Sequence, residues 1–203
     1  MHGYYAAISY INTMIGRLIA ALKYLRLYKN TVIVLVSDHG FHTDEHSYWG
    51  KHNLWDTSLK VPLIIHTPDP AMQGLKENHL TEHVDIFPTL CEMADIPIPA
   101  YLQGKSMLPL LQNTDISGKQ AVFAHRKHQW HDRIKAYAVA HSVRTEKYRY
   151  TVYLDKAKHV IAEELFDYEN DPGELTNIAS QEESREIIEK LHRILNAYLV
   201  ENG

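Results

Sequence analysis

Cysteine is nearly missing from this chain. Cys91 is the only one in 203 residues, so no intramolecular disulfide can form, and one thiol does not identify a compartment. A large excess of either charge is also lacking. The net charge is −4 with histidine neutral, which excludes a general attraction to nucleic acid or to an anionic membrane surface. Met1 is not followed by the basic residues and apolar run of a signal peptide. The first long apolar segment is interrupted by Arg17 and Lys23, so no membrane span is expected. Repeats and low-complexity tracts are lacking too. What is present is 45% apolar residues, enough for a sizeable core in one large domain or one domain with a small appendage. Histidine is abundant, with 14 copies, many of them within 39–52 and 125–141. Such stretches serve metal binding or acid–base chemistry, although most surface histidines do neither.

Residues 4–28 read as a helix. Ile8, Ile11, Ile15, Leu18, Leu22 and Leu25 alternate spacings of three and four, which predicts one apolar face packed on a sheet. The stretch 31–37, TVIVLVS, is β-branched and apolar on both faces, as in a parallel strand buried between helices. The stretch 60–68, KVPLIIHTP, reads as a second such strand, with Pro62 near its start. A helix over 83–96 with Pro88 in an early turn, then a loop and a short helix, lead to a third strand at 121–126. The pattern then changes. Residues 136–154 form two alternating strands joined by Thr145-Glu146-Lys147. A short strand, a turn on Asp171-Pro172-Gly173 and an amphipathic helix over 182–200 follow, with Ile187, Leu191, Ile194 and Tyr198 on one face. The expected organisation is the end of an α/β domain over 1–134 and a small α+β subdomain over 135–203.

Asp38, His39 and Gly40 follow the strand 31–37. In open α/β sheets, ligands bind beyond the carboxyl ends of the strands. A carboxylate and an imidazole side by side suit a metal. They equally suit a capped turn, with the imidazole bonded to a nearby carbonyl. Lys51 follows Tyr48-Trp49-Gly50. A lysine is a compact charge for phosphate or sulfate oxygens, or an ordinary solvated side chain. His46 and His52 flank it with the same two readings. The stretch 125–135, HRKHQWHDRIK, reads as a solvated loop, or as cations that approach an acidic sugar.

One stretch is more specific. Residues 31–65, TVIVLVSDHGFHTDEHSYWGKHNLWDTSLKVPLII, resemble the second signature of the sulfatase family in the alkaline-phosphatase-like superfamily. The order is an apolar strand, Ser-Asp-His-Gly, Glu-His, Trp-x-Lys and a Val-Pro-Leu-Ile strand. The branch most resembled contains iduronate 2-sulfatase and similar bacterial enzymes. The preceding helix and HVDIFPTLCEMADIPIP, LQGKSMLPLL, HSVRTEKYRYTVY and ELFDYENDPGELTNIA extend the resemblance along nearly the whole chain.

The resemblance implies the C-terminal part of an alkaline-phosphatase-like α/β fold, a mixed sheet flanked by helices. An α+β subdomain with an antiparallel sheet and a C-terminal helix follows. It implies a sulfuric ester hydrolase. Asp38 and His39 would ligate a divalent cation, usually Ca²⁺, and Lys51 would contact the sulfate and the leaving ester oxygen. His46 and His52 become candidate substrate contacts. Many members carry asparagine where His39 stands, and imidazole is an unusual calcium ligand. A sulfated small molecule or glycan is the implied substrate, in a secreted, periplasmic or lysosomal enzyme. The family's nucleophile, a formylglycine made within Cys/Ser-x-Pro-x-Arg, has no match here, since Cys91 is followed by Glu-Met-Ala-Asp. The chain is therefore expected to be a C-terminal fragment, inactive alone, whose partner is the upstream half of the same enzyme. A phosphomonoester or phosphonate hydrolase of the same superfamily and a non-catalytic binding module are the competing readings.

Overall fold

In a computed structural model, residues 1–112, 117–129 and 137–202 are described. They form two compact units. One comprises Met1–Lys51 and Thr57–Leu75, the other His52–Asp56 and Lys76–Gly203.

The first unit opens with α1 (His2–Tyr24), where Ser9 and Thr13 hydroxyls donate back to carbonyls four residues earlier. The apolar stripe is present, but no residue of α1 is buried, and Leu18 is 61% exposed. The expected packing on a sheet is not met within these residues, for a reason of size. A 23-residue helix is about 35 Å long. The larger of the two small sheets in its unit pairs β1 (Ile33–Val36) with β4 (Leu63–His66), each of four residues, or about 13 Å. The parallel orientation is also corrected. β1 and β4 pair antiparallel, with Ile33 opposite His66 and Val36 opposite Leu63, and Leu35 and Ile64 stay exposed. An apolar run reports two apolar faces and leaves strand direction open. Between β1 and β4 come the two-residue strands β2 (His42–Thr43) and β3 (Trp49–Gly50), paired antiparallel. The one-turn helix α2 (Asp56–Leu59) precedes β4. By length and composition alone α1 is long and apolar enough to cross a bilayer, despite Arg17 and Lys23. Among the described residues no other helix is.

The second unit is built on a four-stranded antiparallel sheet in the order β5 (Val122–Gln129), β6 (Tyr137–Arg144), β7 (Tyr148–Leu154), β8 (Val160–Asp167). The helices α3 (Ile86–Met93) and α4 (Leu108–Leu111) come before it, and Cys91 is buried in α3. α5 (Arg185–Asn202) lies on the sheet through the face its periodicity predicts. Leu191 and Leu195 close on Val143, Tyr150, Val152 and Leu165, and the Tyr198 and Phe123 rings stack at 3.9 Å. The strand at 121–126 runs on to Gln129, so residues 125–129 are strand and not solvated loop. Backbone pairing with β6 continues through eight residues whatever the side chains, and Phe123 anchors the strand in the core. Residues 130–135 of that stretch, and the expected boundary between 134 and 135, lie outside the described residues.

Candidate active site

The corner after β1 is shaped by its glycine. The Gly40 N–H donates to the Ser58 carbonyl at 2.8 Å, and a Cβ on Gly40 would collide with the Thr57 carbonyl oxygen. Only glycine lets the chain turn this close to residues 57–58. Asp38 and His39 project where the turn begins. The Asp38 carboxylate accepts the His39 backbone N–H at 3.0 Å, and Ser37 Oγ donates to the His39 carbonyl at 2.7 Å. The imidazole–carbonyl contact is present, whereas the Asp38 carboxylate reaches only the adjacent N–H. His39 Nδ1 lies 2.7 Å from the Gly40 carbonyl oxygen, which can only accept. Nδ1 therefore carries the proton, and Nε2 carries the lone pair.

That lone pair has two neighbours. The Lys51 ammonium, which can only donate, bonds to Nε2. The Asp38 Oδ2 oxygen is 3.4 Å from the same nitrogen. Three of the five sequence-predicted residues are thereby brought together: Asp38, His39 and Lys51. Asp38 is open to solvent, with 85% of its side chain exposed. A carboxylate oxygen and a nitrogen lone pair converging this closely fit one cation as two of its ligands. Among the described residues no third histidine, cysteine or acid joins them.

Lys51 reaches His39 because the segment between β1 and β3 folds back tightly. Asp44, His46 and Ser47 all have positive φ, a costly conformation for residues with a Cβ. It is held by several bonds. Ser47 N–H donates to Asp44 O, Asp44 N–H to Tyr48 O, and Thr43 N–H to the Glu45 carboxylate at 2.5 Å. The Thr43 backbone bond holds the Glu45 carboxyl below its ordinary pKa. His46 sits edge-on to the fully buried His42 ring, 5.7 Å away. His52 is exposed and opens the second unit.

Sequence reasoning missed a buried charge cluster in the second unit. Arg149 of β7 is 3% exposed. Its guanidinium pairs with Asp56 and with Glu174, the latter at 2.8 Å. Glu174, also buried, accepts the Asp56 backbone N–H at 2.7 Å and the Tyr168 hydroxyl. Arg144 stacks on the Tyr168 ring at 3.5 Å. The cluster ties residues 52–56 to the sheet. One signal was available: Arg149 and Thr151 alternate with the core residues Tyr150 and Val152 on a strand whose two faces are both buried.

The charged corner follows a strand of an α/β unit, and a four-stranded antiparallel sheet with a C-terminal helix lies further along the chain. Comparison with known proteins gives the family. Residues 44–201 match the family described as N-sulphoglucosamine sulphohydrolase, C-terminal, and the chain belongs to it. Residues 3–70 also match the type I phosphodiesterase / nucleotide pyrophosphatase family. Human arylsulfatase K is 34% identical over 198 residues, covering 95% of this chain and 36% of its own length. Phosphonate monoester hydrolase of Agrobacterium radiobacter superposes with a TM-score of 0.84 at 26% identity, over 98% of this chain and 40% of its own. A protein solved with its substrate, D-glucosamine-2-N,6-O-disulfate, superposes with a TM-score of 0.74 at 26% identity, over 91% and 37%. The chain thus spans little more than a third of the relatives it matches.

Proposed function

We propose that this chain is the C-terminal part of a sulfuric ester hydrolase that cleaves sulfate monoesters of sugars. The observation that carries the reading is the convergence of Asp38, His39 and Lys51 beyond β1 in a chain of the sulfatase family. Asp38 and His39 are the residues that would hold a divalent cation, with calcium the ion the family resemblance implies. Calcium takes six to eight ligands, so this pair is part of a larger set. A bound cation would offset charge on the sulfate oxygens. Lys51 is the catalytic residue of the reading. Its ammonium, released from His39 Nε2 when that nitrogen ligates the cation, donates to the sulfate and to the ester oxygen as the S–O bond breaks and negative charge gathers there. A cation fixed where charge develops stabilises the transition state more than the ground state.

His46 and His52 are further substrate contacts in this proposal. The formylglycine nucleophile belongs to the preceding half of the enzyme, the chain's natural partner. Iduronate 2-sulfatase-like specificity is the finer proposal, supported by the order of motifs over 31–65. The phosphonate monoester hydrolase neighbour supports a second reading, a phosphonate or phosphate ester as substrate.

The test uses the chain joined to its preceding half in a host that makes formylglycine. Turnover of an aryl sulfate should exceed turnover of a phosphonate monoester, and the reverse order would install the second reading. Lys51→Ala should lower kcat by roughly 10²- to 10³-fold. Its stability should change by about 0.5 kcal/mol or less, as for other exposed side chains. Normal kcat in that variant removes Lys51 from the mechanism.

A further inference from the structure

Lys51 leaves the end of a very small ribbon. β2 and β3 pair through His42 with Gly50 and Thr43 with Trp49, and Lys51 follows Gly50 directly. Two pairs are too few to hold a ribbon in water by themselves. The connecting residues work against it, since Asp44, His46 and Ser47 all have positive φ. A bond from outside the ladder must therefore fix the register.

Glu45 supplies that bond. The Asp44 N–H donates to the Tyr48 carbonyl. Neighbouring N–H groups of an antiparallel pair point to opposite sides, so the Thr43 N–H faces away from β3. Thr43 is buried, and its N–H would be left unpaired without the Glu45 carboxylate, which accepts it at 2.5 Å. The Thr43 hydroxyl donates to the second carboxylate oxygen at 3.3 Å. A charged acceptor makes this the stronger kind of hydrogen bond. The Glu45 carbonyl accepts the Tyr48 N–H at 3.1 Å and lies 3.2 Å from Nδ1 of the fully buried His42. Glu45 thus grips both residues of β2 and the residue that opens β3.

We propose that Glu45 is a positioning residue for Lys51. Its carboxylate holds the ribbon in the register that delivers the Lys51 ammonium to the corner formed by Asp38 and His39. Glu45 acts through the backbone and not on the reacting atoms. This role rests on Lys51 being the group that donates to the leaving ester oxygen.

The experiment is a double-mutant cycle in the chain joined to its preceding half, with kcat measured on aryl sulfates whose phenols differ in acidity. Glu45→Ala removes the carboxylate and keeps the backbone bonds. It should lower kcat by roughly tenfold or more, since displacing a reacting group by about 1 Å costs up to about 10²-fold. Glu45→Gln keeps an oxygen for the Thr43 N–H and should restore most of that loss. In the Lys51→Ala background, Glu45→Ala should cost less than about twofold, because the group it positions is gone. Glu45→Ala should also steepen the dependence of rate on phenol acidity, as Lys51→Ala does, because a displaced ammonium no longer neutralises the leaving oxygen. A general loss of fold would lower every substrate equally and in both backgrounds. Wild-type kcat in Glu45→Ala, or equal losses with and without Lys51, would overturn the positioning role and leave the role of Lys51 standing. Wild-type kcat in Lys51→Ala would overturn both.

Discussion

The His39 Nε2 lone pair accepts from the Lys51 ammonium in this structure, and the Asp38 carboxylate stands 3.4 Å away, open to solvent. The two acidic-corner residues differ in what they give a hard cation. Asp38 supplies a full negative charge and oxygen, and His39 supplies a neutral nitrogen. With the preceding half present, Asp38→Ala should weaken calcium binding by a large factor, and His39→Ala by much less. Calorimetric titration with calcium separates them, and unchanged affinity in Asp38→Ala would sink the ligand assignment. Asp38, His39 and Lys51 were legible as residues because an acid, an imidazole and a lysine after a buried-looking strand carry their chemistry in their types. Their meeting was not legible. It depends on three positive-φ residues at 44, 46 and 47, none of them glycine, which only the surrounding bonds hold in place.

The elements of the second unit depend on a polar cluster that no local pattern reveals. Arg149 lies 93 residues from Asp56 and 25 from Glu174, so each pairing is a product of the completed sheet. Removing the arginine leaves two carboxylates facing each other, one of them almost fully buried. Arg149→Met should therefore cost about 3–5 kcal/mol, the scale for orphaning a buried charge. The measurement is the urea midpoint followed by far-ultraviolet circular dichroism. Adding Glu174→Gln should recover part of the loss, because the two residues share one network. A midpoint near wild type in Arg149→Met would show the cluster to be loosely packed or wet. By contrast, α5 was readable in advance. Its apolar stripe repeats at the helical period, and the stripe is what the sheet covers.

At the scale of the molecule, the chain carries an unusual load of exposed apolar surface. Ile8, Ile11 and Leu18 of α1, together with Leu35 and Ile64 of the β1–β4 pair, are all exposed. Exposed apolar surface promotes association. Residues 1–203 should self-associate reversibly, with an elution volume that falls as concentration rises in size-exclusion chromatography. They should also show no turnover of a chromogenic sulfate. Joining the preceding half should restore both monodispersity and activity. Metal-dependent turnover by a monodisperse 203-residue sample would contradict the proposal about where the nucleophile lies.

Sequence alone determined the elements whose signal is local. These are the helix α1, the apolar strands near 31–37 and 60–68, the hairpin through Thr145-Glu146-Lys147, the final amphipathic helix, and the residue types of the candidate site. Periodicity and side-chain chemistry are properties of short stretches, so they survive without knowledge of neighbours. Tertiary structure alone decided that β1 and β4 run antiparallel, that Val122–Gln129 joins the C-terminal sheet, and that Arg149 finds Asp56 and Glu174. Strand direction, sheet membership and buried ion pairing are relations between distant segments, and each is settled by which surfaces meet when the chain closes on itself.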